Sequence, residues 1–259
     1  MSFSVVIPSG SLSNLAACVR SIREAGETCR IIVVSNGLDS DRLDRDASPV
    51  MNRETISMFN NRVDFTDGAI PFVFARNANI GIRMAGSDDI ILMGDDCMLK
   101  TPHGFTALSA AMEDHKRLHF GITSAALNFV GNRNQYPLSH INLHVPAFRD
   151  EPRMLCFPCV YIPHSTIERV GLMDERFVDY GFDDDDYSWR VREAGLKLGV
   201  WDGCYVDHRK LPSFWRTGAT AETLGLEKNL KRFIEKWGLD NHGLSREKSP
   251  FAHLFPAIT

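Results

Sequence analysis

The sequence has no apolar run long enough to span a bilayer, which argues against an integral membrane protein. It has no second CxxC to join the single pair Cys156 and Cys159 in "CFPC", so a structural zinc site is not expected. Six cysteines in 259 residues do not make a disulfide framework, and the pair reads as two reduced, packed thiols. Basic charge is not in excess: 29 Lys and Arg stand against 33 Asp and Glu, for a net charge of -4, so no general field attracts nucleic acid. The N-terminus "MSFSVVIPSG" lacks a basic flank and an extended apolar stretch, so no signal peptide is expected and the chain reads as cytoplasmic, or peripheral to a membrane at most. There is no internal repeat, and no low-complexity segment other than a run of aspartates.

What is present is an alternation of short apolar runs and amphipathic segments. "FSVVIP" (Phe3 to Pro8) reads as a buried strand. In "SNLAACVRSIREAG", Leu15, Cys18, Val19 and Ile22 repeat at helical spacing, with Ser13 or Asn14 to cap the start and Gly26 to end it. "CRIIVVSNG" is a second buried strand, so the first 37 residues form a βαβ unit with a parallel sheet. Residues 38–68 read as a long loop carrying at most a short helix, and "IPFVFA" as a short strand. "RNANIGIRMAGSDDIILMGDDC" gives a helix ending near Gly86 and an apolar strand, Ile90 to Met93. In the second half, "HFGITSAALNFVG" reads as a strand, residues 131–156 as loops, and "CFPCVYIPHSTIERVG" as a strand and a helix from near Ser165. "LKLGVWDGCYVDH" reads as one or two strands ending at His208. In "TAETLGLEKNLKRFIEKWG", Leu226, Leu230, Phe233, Ile234 and Trp237 line one face of a helix, with the lysines and Arg232 opposite in solvent.

Two carboxylate clusters follow apolar runs. Asp95 and Asp96 come just past "IILMG", where ligands sit in open α/β sheets; they suit a hard divalent cation, or they merely cap the next element. Asp183 to Asp186 precede the helical segment "YSWRVREAG". Aspartates at a helix start gain roughly 0.3–1 kcal/mol each from the dipole and free N–H groups. Asp186 and Arg190 also stand at pairing distance, i and i+4. This explains one or two aspartates; mutual repulsion offsets the gain for the rest. Neighbouring helical residues point about 100° apart, so one carboxylate can face a cleft as a general base while another caps the helix.

The order of these motifs resembles the inverting GT-A glycosyltransferases, most of all the large family 2. The resemblance runs from about residue 3 to 208, and is most specific at "GLMDERF...DDDDYSWRVREAG", which is similar to the family's "GxFDExF...EDxDxxxRxxxxG". It implies an α/β fold of the GT-A kind, a Rossmann-like domain for nucleotide-diphospho-sugars with a mixed, mostly parallel central sheet flanked by helices. It implies one domain over residues 1–240, with a nucleotide-sugar half (1–100), an acceptor half (101–240) and a tail (241–259). By position it implies that Asp96 and His208 hold Mn²⁺ or Mg²⁺, that Asp95 lies beside the donor ribose or metal, and that Asp183 and Asp184 match the Glu-Asp pair, with Asp184 as catalytic base. Pro8 and Ser9 match the start of the nucleotide pocket, and Arg76 and Asn77, with Asn79 and Gly81, match the "ARNxG" element near the donor. Asp183 and Asp186 would orient the catalytic base or hold acceptor hydroxyls.

Two positions depart from the pattern. Ser35 in "VVSNG" stands where the family has an aspartate that holds the base, with Asn36 or Asp39 to substitute, and Gly94 stands where many members carry a polar residue. The expected partners are a nucleotide-sugar donor, first a UDP-sugar, and an acceptor hydroxyl on a saccharide, a lipid-linked glycan or another molecule. Trp215, with Phe214, is placed to stack on a sugar or base, or to pack in the core. Arg133, Arg149, Arg153, Lys210 and Arg216 either form a groove for nucleic acid carrying modified bases or are scattered surface charge. The other readings are a non-catalytic nucleotide-binding or scaffold protein with the same fold, and a nucleotidyltransferase. The latter wants a "GxGTR"-like loop that "IPSGSLSN" lacks.

Overall fold

The structure, a computed structural model, describes residues 2–35, 62–138, 146–151, 153–209 and 225–239. Asn36, Asp39, Lys210, Phe214, Trp215, Arg216 and the tail 241–259 lie outside these residues, as do the roles expected of them.

The apolar runs become the strands β1 (Phe3–Ser9), β2 (Arg30–Ser35) and β4 (Asp89–Met93), and the amphipathic segments between them become α1 (Leu12–Glu24) and α2 (Phe74–Ala85). Ser11, rather than Ser13 or Asn14, caps α1: its side chain accepts from the Asn14 amide. The strand expected over "IPFVFA" is not formed. Ile70 and Phe72 there are exposed, and α2 begins at Phe74. The strand of this region is β3 (Val63–Asp67), within the stretch expected to be loop. As an edge strand it is only half buried, so its apolar signal is weak.

The rest of the chain adds β5 (Cys97–Leu99), α3 (Gly104–Asp114), β6 (Phe120–Leu127), β7 (Phe148–Asp150), β8 (Cys159–Ile162) and α4 (His164–Val170). It ends with α5 (Asp183–Glu193), β9 (Lys197–His208) and α6 (Leu226–Trp237). Nothing local announces α3, because its cap is remote. The buried Glu27 carboxylate accepts from the amides of Phe105 (2.7 Å) and Thr106 (3.0 Å).

Among the described residues nine strands join one sheet, in the order β3-β2-β1-β4-β8-β6-β9-β5, with β7 on β9. β3, β2, β1 and β4 are parallel, β8 runs against β4 and β6, and β9 is parallel to β6, so six of the nine strands share one direction. The sheet is therefore mixed and mostly parallel, and it continues through both expected halves. Alternate residues feed opposite faces. Val5, Ile7, Ile31 and Val33 pack with α1 and α3, while Val6, Ile32 and Val34 pack with α2 and α5. Gly81 is set by this packing: a Cβ there would stand 2.3 Å from Val6 Cγ1. Among the described residues no helix is long and apolar enough to cross a membrane.

Candidate active site

Strand register collects polar groups at the carboxyl end of the parallel strands. Ser9, Ser35 and Asp67 stand side by side at the ends of β1, β2 and β3, with Pro8 one residue inside. Asp95 follows β4 and is gripped by the turn after β1. Ser9 Oγ donates to Asp95 Oδ2 at 2.7 Å, and the amides of Gly10 and Ser11 approach the same oxygen at 3.3 Å. Burial pushes the Asp95 carboxyl up to about 6; the Ser9 bond opposes this and the neighbouring Asp96 charge adds to it.

Asp96 meets His208 because Cys97 of β5 pairs with His208 of β9. His208 Nε2 lies 3.5 Å from Asp96 Oδ2, and the Arg209 amide donates to the Asp96 carbonyl at 3.0 Å. The other imidazole nitrogen, Nδ1, is 3.1 Å from the Phe129 carbonyl, which orients the ring. Phe129 takes φ 50, a strained conformation for a non-glycine residue. Burial opposes a charge on His208, but its bond to Asp96, the Asp96 charge and the Phe129 carbonyl outweigh it, and the imidazole is raised above its ordinary value.

Asp96, His208 and Cys97 present donor atoms within 4.8 Å of one another. The carboxylate and the imidazole suit Mn²⁺ or Mg²⁺. The thiol does not belong to the set. Cys97 is fully buried, its Sγ donates to the Pro158 carbonyl at 3.2 Å, and burial holds its pKa well above the usual thiol range.

The acidic run begins α5. Phe182, at φ 67, turns the chain into the helix, and all four aspartates fall in its first turn. Burial and then the Asp184 charge push Asp183 up to about 7. Asp184 and Asp185 are raised too, by burial first and then by the neighbouring carboxylates, with the Phe157 amide partly offsetting this at Asp184. Asp186 is fully buried, and its oxygens are engaged by Arg190 Nε (3.0 Å), Lys236 Nζ (2.6 Å) and Trp237 Nε1 (3.0 Å).

The segment 156–158 links the clusters. The Phe157 amide and Cys156 lie beside Asp184, while the Pro158 carbonyl accepts from the Gly94 amide at 2.8 Å. Tyr180 is partly exposed, and its phenol is raised by burial of its polar end and then by the charges of Asp184, Cys156, Asp183 and Asp96. Sequence reasoning passed over this residue. Its signal was an aromatic three positions before the acidic run.

Other expected residues lie elsewhere. Asn77 is fully buried and its Oδ1 accepts from the Ala69 amide at 2.8 Å. Arg76 leans on Glu175 at 3.6 Å. Asn79 bonds the Met173 carbonyl and Glu175, both at 2.9 Å, tying α2 to the turn before α5. Arg149 is bound to Asp202 at 2.8 Å, which removes it from the expected basic groove. Ser35 is buried, and its hydroxyl has no hydrogen-bond partner among the described residues. All six cysteines are free thiols.

No family model and no curated protein matches the sequence. Solved structures do match it. GalNAc-T7, in a structure with UDP, GalNAc and Mn²⁺, covers 93% of this chain with a TM-score of 0.69 and 17% identity. The mannosyltransferase PcManGT from Pyrobaculum calidifontis, in complex with GDP-Man and Mn²⁺, covers 97% with a TM-score of 0.64 and 13% identity. TarS 1–349 of S. aureus covers 79% with a TM-score of 0.54 and 13% identity. The chain spans 48% of the GalNAc-T7 chain, 68% of PcManGT and 60% of TarS 1–349. With the sheet order and the flanking helices, these likenesses show that the chain has the GT-A fold.

Proposed function

We propose that the chain is a metal-dependent inverting glycosyltransferase that moves a sugar from a nucleoside-diphosphate donor to an acceptor hydroxyl. The observation that carries this reading is the Asp96–His208 pair at the strand ends, with Asp95 fixed beside it by the Ser9 hydroxyl, in a chain whose α5 opens on four aspartates. The likeness to structures that hold UDP or GDP-Man with Mn²⁺ supports a donor of the same class here. A UDP-sugar is the first candidate.

Asp96 Oδ2 and His208 Nε2 would hold the cation, leaving its other positions to the donor diphosphate. Bound there, Mn²⁺ or Mg²⁺ would offset negative charge on the departing nucleoside diphosphate. Asp95, fixed by the Ser9 hydroxyl, lines the donor side. Asp184, once ionised, takes the proton from the acceptor hydroxyl as that oxygen bonds to the anomeric carbon and the bond to the diphosphate breaks. One in-line displacement inverts the anomeric configuration. A carboxylate raised by burial is a stronger base than a solvated one and is still ionised at mildly alkaline pH. Burial first, and then the Asp185 charge, keep that proton affinity high.

The test is a thermal-shift panel of nucleoside diphosphates and nucleotide sugars, with and without Mn²⁺, on the wild type and Asp96→Ala. Stabilisation by one nucleotide that requires both Mn²⁺ and Asp96 is expected. Absence of stabilisation by every nucleotide would contradict the donor site.

A further inference from the structure

α6 packs Phe233 and Trp237 against Trp189 of α5, and beside these rings it carries a polar stripe. Asn229, Arg232 and Lys236 stand at i, i+3 and i+7, one stripe of a helix, and all three are engaged inward. Asn229 Nδ2 donates to the carbonyls of Asp179 and Gly181, both at 2.7 Å. Arg232 donates to the Asp179 carboxylate. Lys236 Nζ lies between Asp174 Oδ2 (2.7 Å) and Asp186 Oδ1 (2.6 Å). Trp237 Nε1 adds a bond to that same Asp186 oxygen at 3.0 Å, and Trp237 packs on Trp189 with ring centroids 5.0 Å apart. The stripe therefore grips both the turn that enters α5 and the last aspartate of the run. Enclosing a lysine costs rotamer freedom and solvation, so a buried network of this kind is a weak device for stability and a better one for fixing a geometry.

We propose that Lys236 is a positioning residue: through Asp186 it sets the start of α5, and so where the Asp184 carboxylate stands against the acceptor hydroxyl. This rests on the reading of Asp184 as the base. The charges facing Asp186 are Arg190 of α5, Lys236 of α6, and Asp174 and Arg176 of the preceding turn. Those facing Asp183–Asp185 are one another, Asp186, and Cys156 and Tyr180 from the adjoining loops. The Asp186 charge raises Asp183 and Asp185, so removing its lysine partner shifts them further upward.

The experiment compares the full chain with Lys236→Met and Lys236→Arg. The aspartate carboxylates are titrated by carbon-13 NMR, alongside kcat and KM for transfer, nucleotide affinity with Mn²⁺, and melting temperature. In Lys236→Met the raised carboxylates should titrate about half a pH unit higher. The kcat should fall about tenfold or more, as expected for a misplaced catalytic group. Nucleotide affinity should stay within about twofold, because Asp96 and His208 are held elsewhere, and Lys236→Arg should recover most of the loss. A lower melting temperature with titration and kcat unmoved would reduce Lys236 to a structural tie and overturn the proposal. If the wild type transfers no sugar, the base reading falls, while the NMR titration still decides whether Lys236 acts on the acidic run. If Lys236→Met does not fold, Trp237→Phe removes one bond to the same oxygen and should move titration and kcat in the same direction; no movement would overturn the proposal.

Discussion

The strand-end cluster and the helix-start cluster are held in place by different means. Asp96 and His208 are set by backbone: β5 pairs with β9, the Arg209 amide holds the Asp96 carbonyl, and the Phe129 carbonyl turns the imidazole. Asp183–Asp185 open a helix whose fourth aspartate, Asp186, is held by the side chains of Arg190, Lys236 and Trp237. A site fixed by sheet register tolerates change in distant side chains. A site fixed by a buried ion network does not, because removing one partner strands the others without water.

The largest effect expected from breaking this contrast is on chemistry. Asp184→Asn should lower transfer by about 10²–10⁴-fold, the range for loss of a general base, with nucleotide binding retained. Next, Asp96→Ala should abolish Mn²⁺-dependent nucleotide binding in calorimetry while leaving the unfolding midpoint close to wild type. Asp186→Ala should do the reverse. Removing the buried carboxylate that Lys236, Arg190 and Trp237 share should cost about 3 kcal/mol in denaturant unfolding, with little change in the Mn²⁺ requirement.

A smaller effect is the response of stability to pH. Asp183, held at about 7, keeps in the folded chain a proton that the unfolded chain releases near the ordinary carboxylate value. Folding therefore takes up protons between about pH 4 and about pH 7, and this contribution to stability is lost as pH rises through the folded value. Asp174, held well below the usual range by its bond to Arg176 and then by Lys236, acts oppositely: its contribution is present at neutral pH and lost only in acid. The melting temperature should thus fall from about pH 5 to about pH 8, and Asp183→Asn should flatten that slope. The smallest effect is Cys97→Ser, which should leave Mn²⁺ affinity within about twofold, because the thiol is not a ligand.

The same contrast explains what could be read in advance. β1, β2 and β4 announce themselves as continuous apolar runs because both their faces are covered. Asp95, Asp96 and His208 stand out because they end such runs. The inward turn of Arg232 and Lys236 was not legible. Helical spacing alone sent them to solvent, while their partners Asp179, Asp174 and Asp186 lie 50 or more residues away in the chain. β3 and α3 were missed for related reasons, one as a half-exposed edge and the other because its cap, Glu27, is remote. Local pattern reports burial and turns. It does not report which distant carboxylate will accept a charge.

The most direct test of the account is release of nucleoside diphosphate from the donor by Asp184→Asn, measured beside its affinity for nucleotide with Mn²⁺. The account predicts release slowed by about 10²-fold or more with affinity unchanged within about twofold, since base and donor groups are held separately. Release at the wild-type rate, or loss of release and affinity together, would contradict it.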